Sequence, residues 1–227
     1  MPKILNVSVS VTEEMVIKSS GGSYNKKLAI YLPDVLALGE NLLEPKGIYD
    51  VFPVTRVEKE RVLLENGQIF NSEHLCKLLN GVEEIIVMCC TIGPALESKV
   101  KELNKKGDII RSFLLDMYGA TAVGALLQNL YQQISENYKG YGITVHMEPG
   151  QLDWNISEQQ IVFKLIFPET IGVSLNDNYM MTPLKSTTGV FGVGDPEKVK
   201  RGGFACEVCP RRENCTFRHD AEIMFQS

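Results

Sequence analysis

Apolar and polar positions alternate over residues 3–9, which predicts a strand. Pro33-Asp34 opens an apolar run through Leu43, predicting a helix with proline in its first turn. Residues 47–57 read as extended, and Pro53 places that segment at an edge or a bulge. Residues 60–64 and 68–70 flank Asn66-Gly67, which predicts a hairpin whose two turn residues both take positive φ. Ser72 then starts a short helix to Leu79.

The run from Glu84 to Cys90 reads as a buried strand feeding Thr91-Ile92-Gly93-Pro94, with a helix from Ala95 to about Leu103. Strand, tight turn and helix form a geometry in which helix N-terminal amides can face a ligand, or else a plain connection. Asp108 caps a long helix reaching about Tyr138, with its apolar stripe at Phe113, Leu114, Met117, Val123, Leu126, Leu127, Leu130 and Ile134. Gly119 and Gly124 inside it predict close packing of another backbone on that face, since each costs roughly 1 kcal/mol against alanine. Residues 143–147 form a short strand ended by Glu148-Pro149-Gly150. Ser157 and Gln160 make a capping box for a helix from Glu158 to Ile166, stopped by Pro168. Residues 171–175 and 190–193 read as strands. The chain divides into one domain over 1–195 and a cysteine-containing tail over 196–227, where composition shifts after Gly194.

Composition changes this picture little. The 227 residues are 44% hydrophobic and 22% charged, the usage of an ordinary globular chain. A formal net charge of −5 and scattered basic residues argue against a nucleic-acid partner. Met1-Pro2-Lys3 leads into a segment too short and polar for a signal peptide, and no apolar window reaches bilayer length. A cytoplasmic protein with no membrane partner is therefore expected, and its six cysteines read as thiols or metal ligands rather than disulfides.

Three stretches carry candidate chemistry. Cys206, Cys209, Cys215 and His219 are spaced to converge on one ion. Three thiolates and an imidazole suit tetrahedral zinc; an iron–sulfur cluster is the other reading. Free thiols are the plain alternative, and Cys89-Cys90 could lend a ligand if His219 does not. The second stretch runs from His146 through Glu148, Pro149 and Gly150 to Trp154, the sole tryptophan. A Pro-Gly turn lets a ligand approach the backbone. The third, residues 180–194, holds Lys185 and Ser186 among small and polar residues. Gly192-Val193-Gly194 lacks the further glycine of a dinucleotide fingerprint. No nucleophile elbow, P-loop or paired catalytic histidines are present, so catalytic residues are not assigned.

Together these stretches resemble the activation (reactivation) domain of vitamin B12-dependent methionine synthase. The likeness runs over about residues 45–195. It rests on Thr91-Ile92-Gly93 with Glu97, Leu115-Asp116 with Gly119, and Pro149-Gly150 with Asp153-Trp154. Gln159 with Phe163, and Pro183 with Lys185-Ser186 before Gly189, complete it. The resemblance implies an α+β fold with a twisted, mainly antiparallel sheet and packed helices. It implies S-adenosylmethionine (SAM) held at His146, Glu148, Pro149, Gly150, Lys185 and Ser186. It also implies docking onto a cobalamin-binding domain of a methionine synthase or corrinoid protein, with an electron donor such as ferredoxin or flavodoxin. The family's SAM motif reads Arg-x-x-Pro-Gly-Tyr; here His146 stands in the arginine place and Gln151 in the tyrosine place. Phe191 lies near Gly189 where the family has tyrosine. The expected function is an accessory role in reductive reactivation of a cobalamin-dependent methyltransferase, with the cysteine tail as electron entry. The alternatives are a non-catalytic, zinc-stabilised binding module of such a system and an unrelated SAM-dependent enzyme.

Overall fold

The computed structural model describes residues 1–19 and 26–199. In chain order the elements are β1 (Lys3–Leu5), α1 (Glu13–Ser19), α2 (Leu32–Glu40), β2 (Lys46–Val57), β3 (Arg61–Leu64), β4 (Ile69–Asn71) and α3 (Glu73–Leu78). They continue with β5 (Val82–Thr91), α4 (Ala95–Lys105), α5 (Ile109–Ser135), β6 (Gly142–Ile143), α6 (Gln159–Ile166), β7 (Ser174–Leu175), β8 (Met181–Thr182) and β9 (Ser186–Gly194). One seven-stranded sheet runs β4-β3-β2-β5-β9-β6, with β1 also paired to β2, and β7-β8 is a separate ribbon. Every pairing is antiparallel. The fold is α+β with a mainly antiparallel sheet and packed helices, as the sequence implied.

The centre of the sheet is apolar on both faces, and β5 shows why. Side chains alternate across a strand, and here both alternations are hydrophobic. Ile86, Met88 and Cys90 enter one core with α2, α4 and α5; Ile85, Val87 and Cys89 enter the other with α3 and α6. A continuous apolar run is what a strand covered on both sides requires.

Several local expectations are corrected. The first strand ends at Leu5 rather than Val9. In the β3–β4 hairpin only Gly67 takes positive φ, at 81°. Gly67 N–H donates to Leu64 O, so Glu65 and Asn66 form an ordinary turn and the glycine follows it. A 3-10 turn at Ile156–Glu158 leads into α6 and is capped by Asn155, whose side chain accepts from Ser157 N–H; Ser157 caps nothing, and α6 itself has no side-chain cap. The predicted strand over residues 143–147 is reduced to β6 and one isolated bridge from Met147 to Val190. Pro53 is the last β2 residue paired with β5 and precedes the register shift toward β3, so an irregularity accommodates its missing N–H. Ile109–Tyr138 is, by length and composition, apolar enough to cross a bilayer, contrary to expectation. Its inner face carries Leu114, Leu115, Tyr118, Ala122, Leu126, Leu130 and Ile134 into the core. Phe113, assigned to that stripe, is 45% exposed.

Candidate functional site

The site is assembled where β9 begins. Lys185 precedes the strand, and three contacts fix its backbone and side chain. Its N–H donates to Glu97 Oε1 on α4 (3.0 Å), its carbonyl accepts from Ile92 N–H (3.2 Å), and its Nζ pairs with Asp116 Oδ1 on α5 at 2.9 Å. Gly119 lies one turn along α5 from Asp116, and a Cβ there would sit 3.3 Å from Lys185 Cε and 2.7 Å from Leu96 Cδ2. The glycine thus admits side chains rather than another backbone. Gly124 has nothing within 4 Å of the same position, so packing does not explain it.

The loop after β6 returns to the same strand. Met147 exchanges backbone hydrogen bonds with Val190, which sets His146 and Glu148 beside β9. Thr187 Oγ1 donates to Glu148 Oε2 (2.9 Å), and Glu148 Oε1 lies 3.8 Å from His146 Nε2. Gly189 lets this loop approach, since a Cβ there would lie 2.8 Å from Met88 Cε and 3.6 Å from His146 Cβ. The His146 ring is 5.8 Å from that of Tyr131 on α5, which itself packs edge-on against Phe191. Phe191 is fully buried and belongs to the core.

Burial pushes the Glu148 carboxyl above its ordinary range, against the lowering effect of the Thr187 hydroxyl. Such a carboxylate is held charged at a cost that is present at neutral pH and disappears as pH falls below the ordinary carboxylate range.

His146, Glu148 and Lys185 therefore lie on the β9 face that carries Thr187, and α5 borders it. Ser186 does not join them. Alternation turns it to the opposite face, where its buried hydroxyl donates to Thr91 Oγ1 (2.8 Å), which accepts from Gly93 N–H. Thr188, on that face too, donates to Gln159 Oε1 (3.0 Å).

The Pro149-Gly150 turn offers no amide hydrogen outward. Glu148 N–H donates to Gln151 Oε1, Gly150 N–H to Trp154 O, and Gln151 N–H to Glu148 O. Gln151 is thus a tie within the loop. The titratable groups around this face are the carboxylates Glu97, Asp116 and Glu148, Lys185 paired to Asp116, and His146 3.8 Å from Glu148. These carboxylates accept hydrogen bonds and attract positive charge. They do not reproduce a bidentate clamp for a ligand carboxylate.

Asp153 forms a second network that the sequence did not reveal. Its carboxylate accepts from Ser72 Oγ (2.7 Å), Glu73 N–H (2.6 Å), His74 N–H (3.3 Å) and His74 Nδ1 (2.9 Å). Burial alone would raise its carboxyl, and these hydrogen bonds outweigh burial and hold it below the ordinary value. A depressed carboxyl contributes stability present above the unfolded value of about 4 and lost as pH falls through the folded value. Asp153→Ala is expected to destabilise the protein by about 2 kcal/mol at pH 7, because a charged acceptor is removed from several donors. Urea unfolding at pH 7 and pH 3 checks this: the gap between the two proteins should narrow at the lower pH, and a pH-independent gap would rule the account out.

The predicted metal ligands Cys206, Cys209, Cys215 and His219 lie outside the described residues. Among the described residues no group of three or more His, Cys, Asp or Glu is placed to hold a metal. Cys89 and Cys90 are fully buried, and burial raises both thiols far above their usual range, so neither offers a ready thiolate.

No family model matches the sequence, and no curated protein matches it. A solved structure does: the MetH reactivation domain bound to AdoHcy, with a TM-score of 0.62 and 13% identity, covering 94% of this chain and 86% of that one. At such low identity the likeness is one of architecture, and it establishes that this chain has the fold of a methionine synthase activation domain.

Proposed function

We propose that this chain is a cytoplasmic accessory protein that docks onto a cobalamin-carrying domain and supports reductive reactivation of a cobalamin-dependent methyltransferase or methionine synthase. The supporting observation is the fold likeness, extending over nearly the whole chain, to a domain named for reactivation and solved with AdoHcy bound. In this reading an S-adenosyl ligand lies against His146, Glu148, Pro149, Gly150 and Lys185, and when bound it supplies an activated methyl group. The chain's residues bind and orient; the corrinoid on the partner carries the reaction. Ser186 contributes from behind, through Thr91, by fixing the start of β9. Residues 196–227 form a metal-bearing tail in this proposal, with zinc or an iron–sulfur cluster on Cys206, Cys209, Cys215 and His219. A ferredoxin or flavodoxin would deliver the electron.

The test is recovery of cob(II)alamin on a cobalamin-loaded methionine synthase domain, followed spectroscopically with a chemical reductant. The protein should co-elute with that domain and accelerate recovery at least about tenfold, a change of about 1.4 kcal/mol in barrier. Absence of both effects would reject the proposal. Iron, sulfide and zinc analysis of anaerobically purified protein, with Cys209→Ser as control, decides the tail.

A further inference from the structure

Two asparagine-glycine pairs occur in the chain, Asn66-Gly67 at the tip of the β3–β4 hairpin and Asn80-Gly81 between α3 and β5. In each, the glycine lacks the Cβ that would obstruct attack of its nitrogen on the preceding carboxamide. All four residues are exposed, and the glycines take positive φ, at 81° and 82°. Their surroundings separate the two pairs. At the hairpin tip Asn66 Oδ1 accepts from Gln68 N–H (3.0 Å), which folds the carboxamide back toward the Gly67 peptide. Gly67 N–H donates to Leu64 O (3.0 Å), and among the described residues nothing lies within 4 Å of a Cβ placed on Gly67. Water can replace both exposed turn hydrogen bonds at small cost, so this peptide is free to rotate. Gly81 is wedged. A Cβ there would lie 3.2 Å from Lys198 Cβ, and the Gly81 carbonyl oxygen lies 2.9 Å from a Cβ placed on Gly194. Val82 N–H donates to Leu79 O across the same turn (3.3 Å), and both residues are buried in the core, so rotating this peptide pulls on them.

We propose that Asn66 is a site of spontaneous deamidation and isoaspartate formation, selected over Asn80 by the open space at the hairpin tip. Hydroxide takes the proton from Gly67 N, and the nitrogen attacks Asn66 Cγ. The new N–Cγ bond closes a cyclic imide as the Cγ–Nδ2 bond breaks and ammonia leaves. Water then opens the imide. Cleavage at Cγ gives aspartate; cleavage at the main-chain carbonyl gives isoaspartate, whose chain runs through the former side chain. The net change consumes one water and releases one ammonia, with no oxidation or reduction. Either product places a negative charge beside Glu65, and isoaspartate also inserts a methylene into the main chain of the turn. The inserted atom breaks the closure between Gly67 and Leu64 and disturbs the pairing of β4 with β3. The disturbance reaches Asn71, at the end of β4, which donates to Glu158 and through it is tied to Trp154.

The experiment is incubation of the full chain at 37 °C, at pH 8.5 and at pH 6, followed by digestion in acid and peptide mapping by mass spectrometry. In the folded protein Asn66 should convert at least about tenfold faster than Asn80, a difference of about 1.4 kcal/mol in barrier. Conversion should be faster at pH 8.5, because the attacking nitrogen must lose its proton. In urea the two asparagines should convert at similar rates, since the selection belongs to the fold. The isoaspartate form, separated by chromatography, should melt below Asn66→Asp, which carries the same charge on an ordinary main chain. Equal rates in the folded protein, faster conversion of Asn80, or a rate indifferent to pH overturns the inference. So does an Asn66 that stays intact in the folded protein while the chain in urea converts. An isoaspartate form that melts together with Asn66→Asp overturns the stated effect on the hairpin.

Discussion

Trp154→Ala is expected to lower the unfolding free energy by about 4 kcal/mol, the usual cost of emptying a buried aromatic site. The indole is 1% exposed and meets the Phe70 ring edge-on at 5.3 Å. Its Nε1–H donates to Glu158 Oε2 at 2.7 Å, and the same carboxylate accepts from Asn71 N–H and Asn71 Nδ2. The side chain therefore joins the loop after the Pro-Gly turn to the end of β4. Trp154→Phe keeps most of the volume and loses only the donor, so it should cost about 1 kcal/mol. Because Trp154 is the only tryptophan, far-UV circular dichroism in urea is the proper readout. If alanine and phenylalanine cost the same, packing is not what this residue contributes.

Gly142→Ala is expected to cost about 2 kcal/mol, within the range for overpacking. A Cβ at Gly142 would run into the Val199 carbonyl oxygen, with Val199 Cβ at 2.7 Å. A backbone atom cannot yield as a flexible side-chain tip can. Val199 is buried, its N–H donates to Asp195 O, and its Cγ2 lies 3.0 Å from where a Gly194 Cβ would be. Residues 195–199 are thus packed onto the end of the sheet, and the added methyl should lift them off. Limited trypsin digestion at Lys198 should quicken in the variant along with the loss in urea stability. Unchanged cleavage would mean that β6 moves instead.

The sequence made the layered architecture legible because burial on both faces leaves a mark that needs no tertiary knowledge. The run from Ile85 to Cys90 is apolar at both phases of the strand, and α5 carries an apolar stripe across seven turns. Punctuation was legible wherever a local hydrogen bond decides it, as at Ser72, whose hydroxyl accepts from Leu75 N–H, and at Asp108 before α5. It failed where two local solutions compete. Asn155 and Ser157 are both good caps, and nothing local favours the first. Phe113 matches the α5 stripe in period but lies beyond the elements that cover the helix.

The candidate site was legible as residue types and illegible as pairings. His146, Glu148 and Lys185 could be picked out as polar groups in turn-rich sequence. The partners that decide their character are remote: Thr187 for Glu148, Asp116 and Glu97 for Lys185. The resemblance pairs Ser186 with Lys185, although adjacent strand residues point to opposite faces. Gln151 illustrates the same limit. It looked like a substituted ligand contact, and it is a hydrogen-bonded tie that makes the loop self-sufficient.

The alternation of β5 has one more consequence. Cys89 and Cys90 are neighbours in the chain, yet their thiols report on different interiors, one beneath α6 and one beneath α5. A thiol reagent can reach either only when the overlying helices part. Pulsed labelling of this natural pair would therefore time the opening of each side of the molecule separately, with no engineered probe. Simultaneous modification would mean that the molecule comes apart as one cooperative unit; staggered modification would mean that one side breathes while the other stays shut.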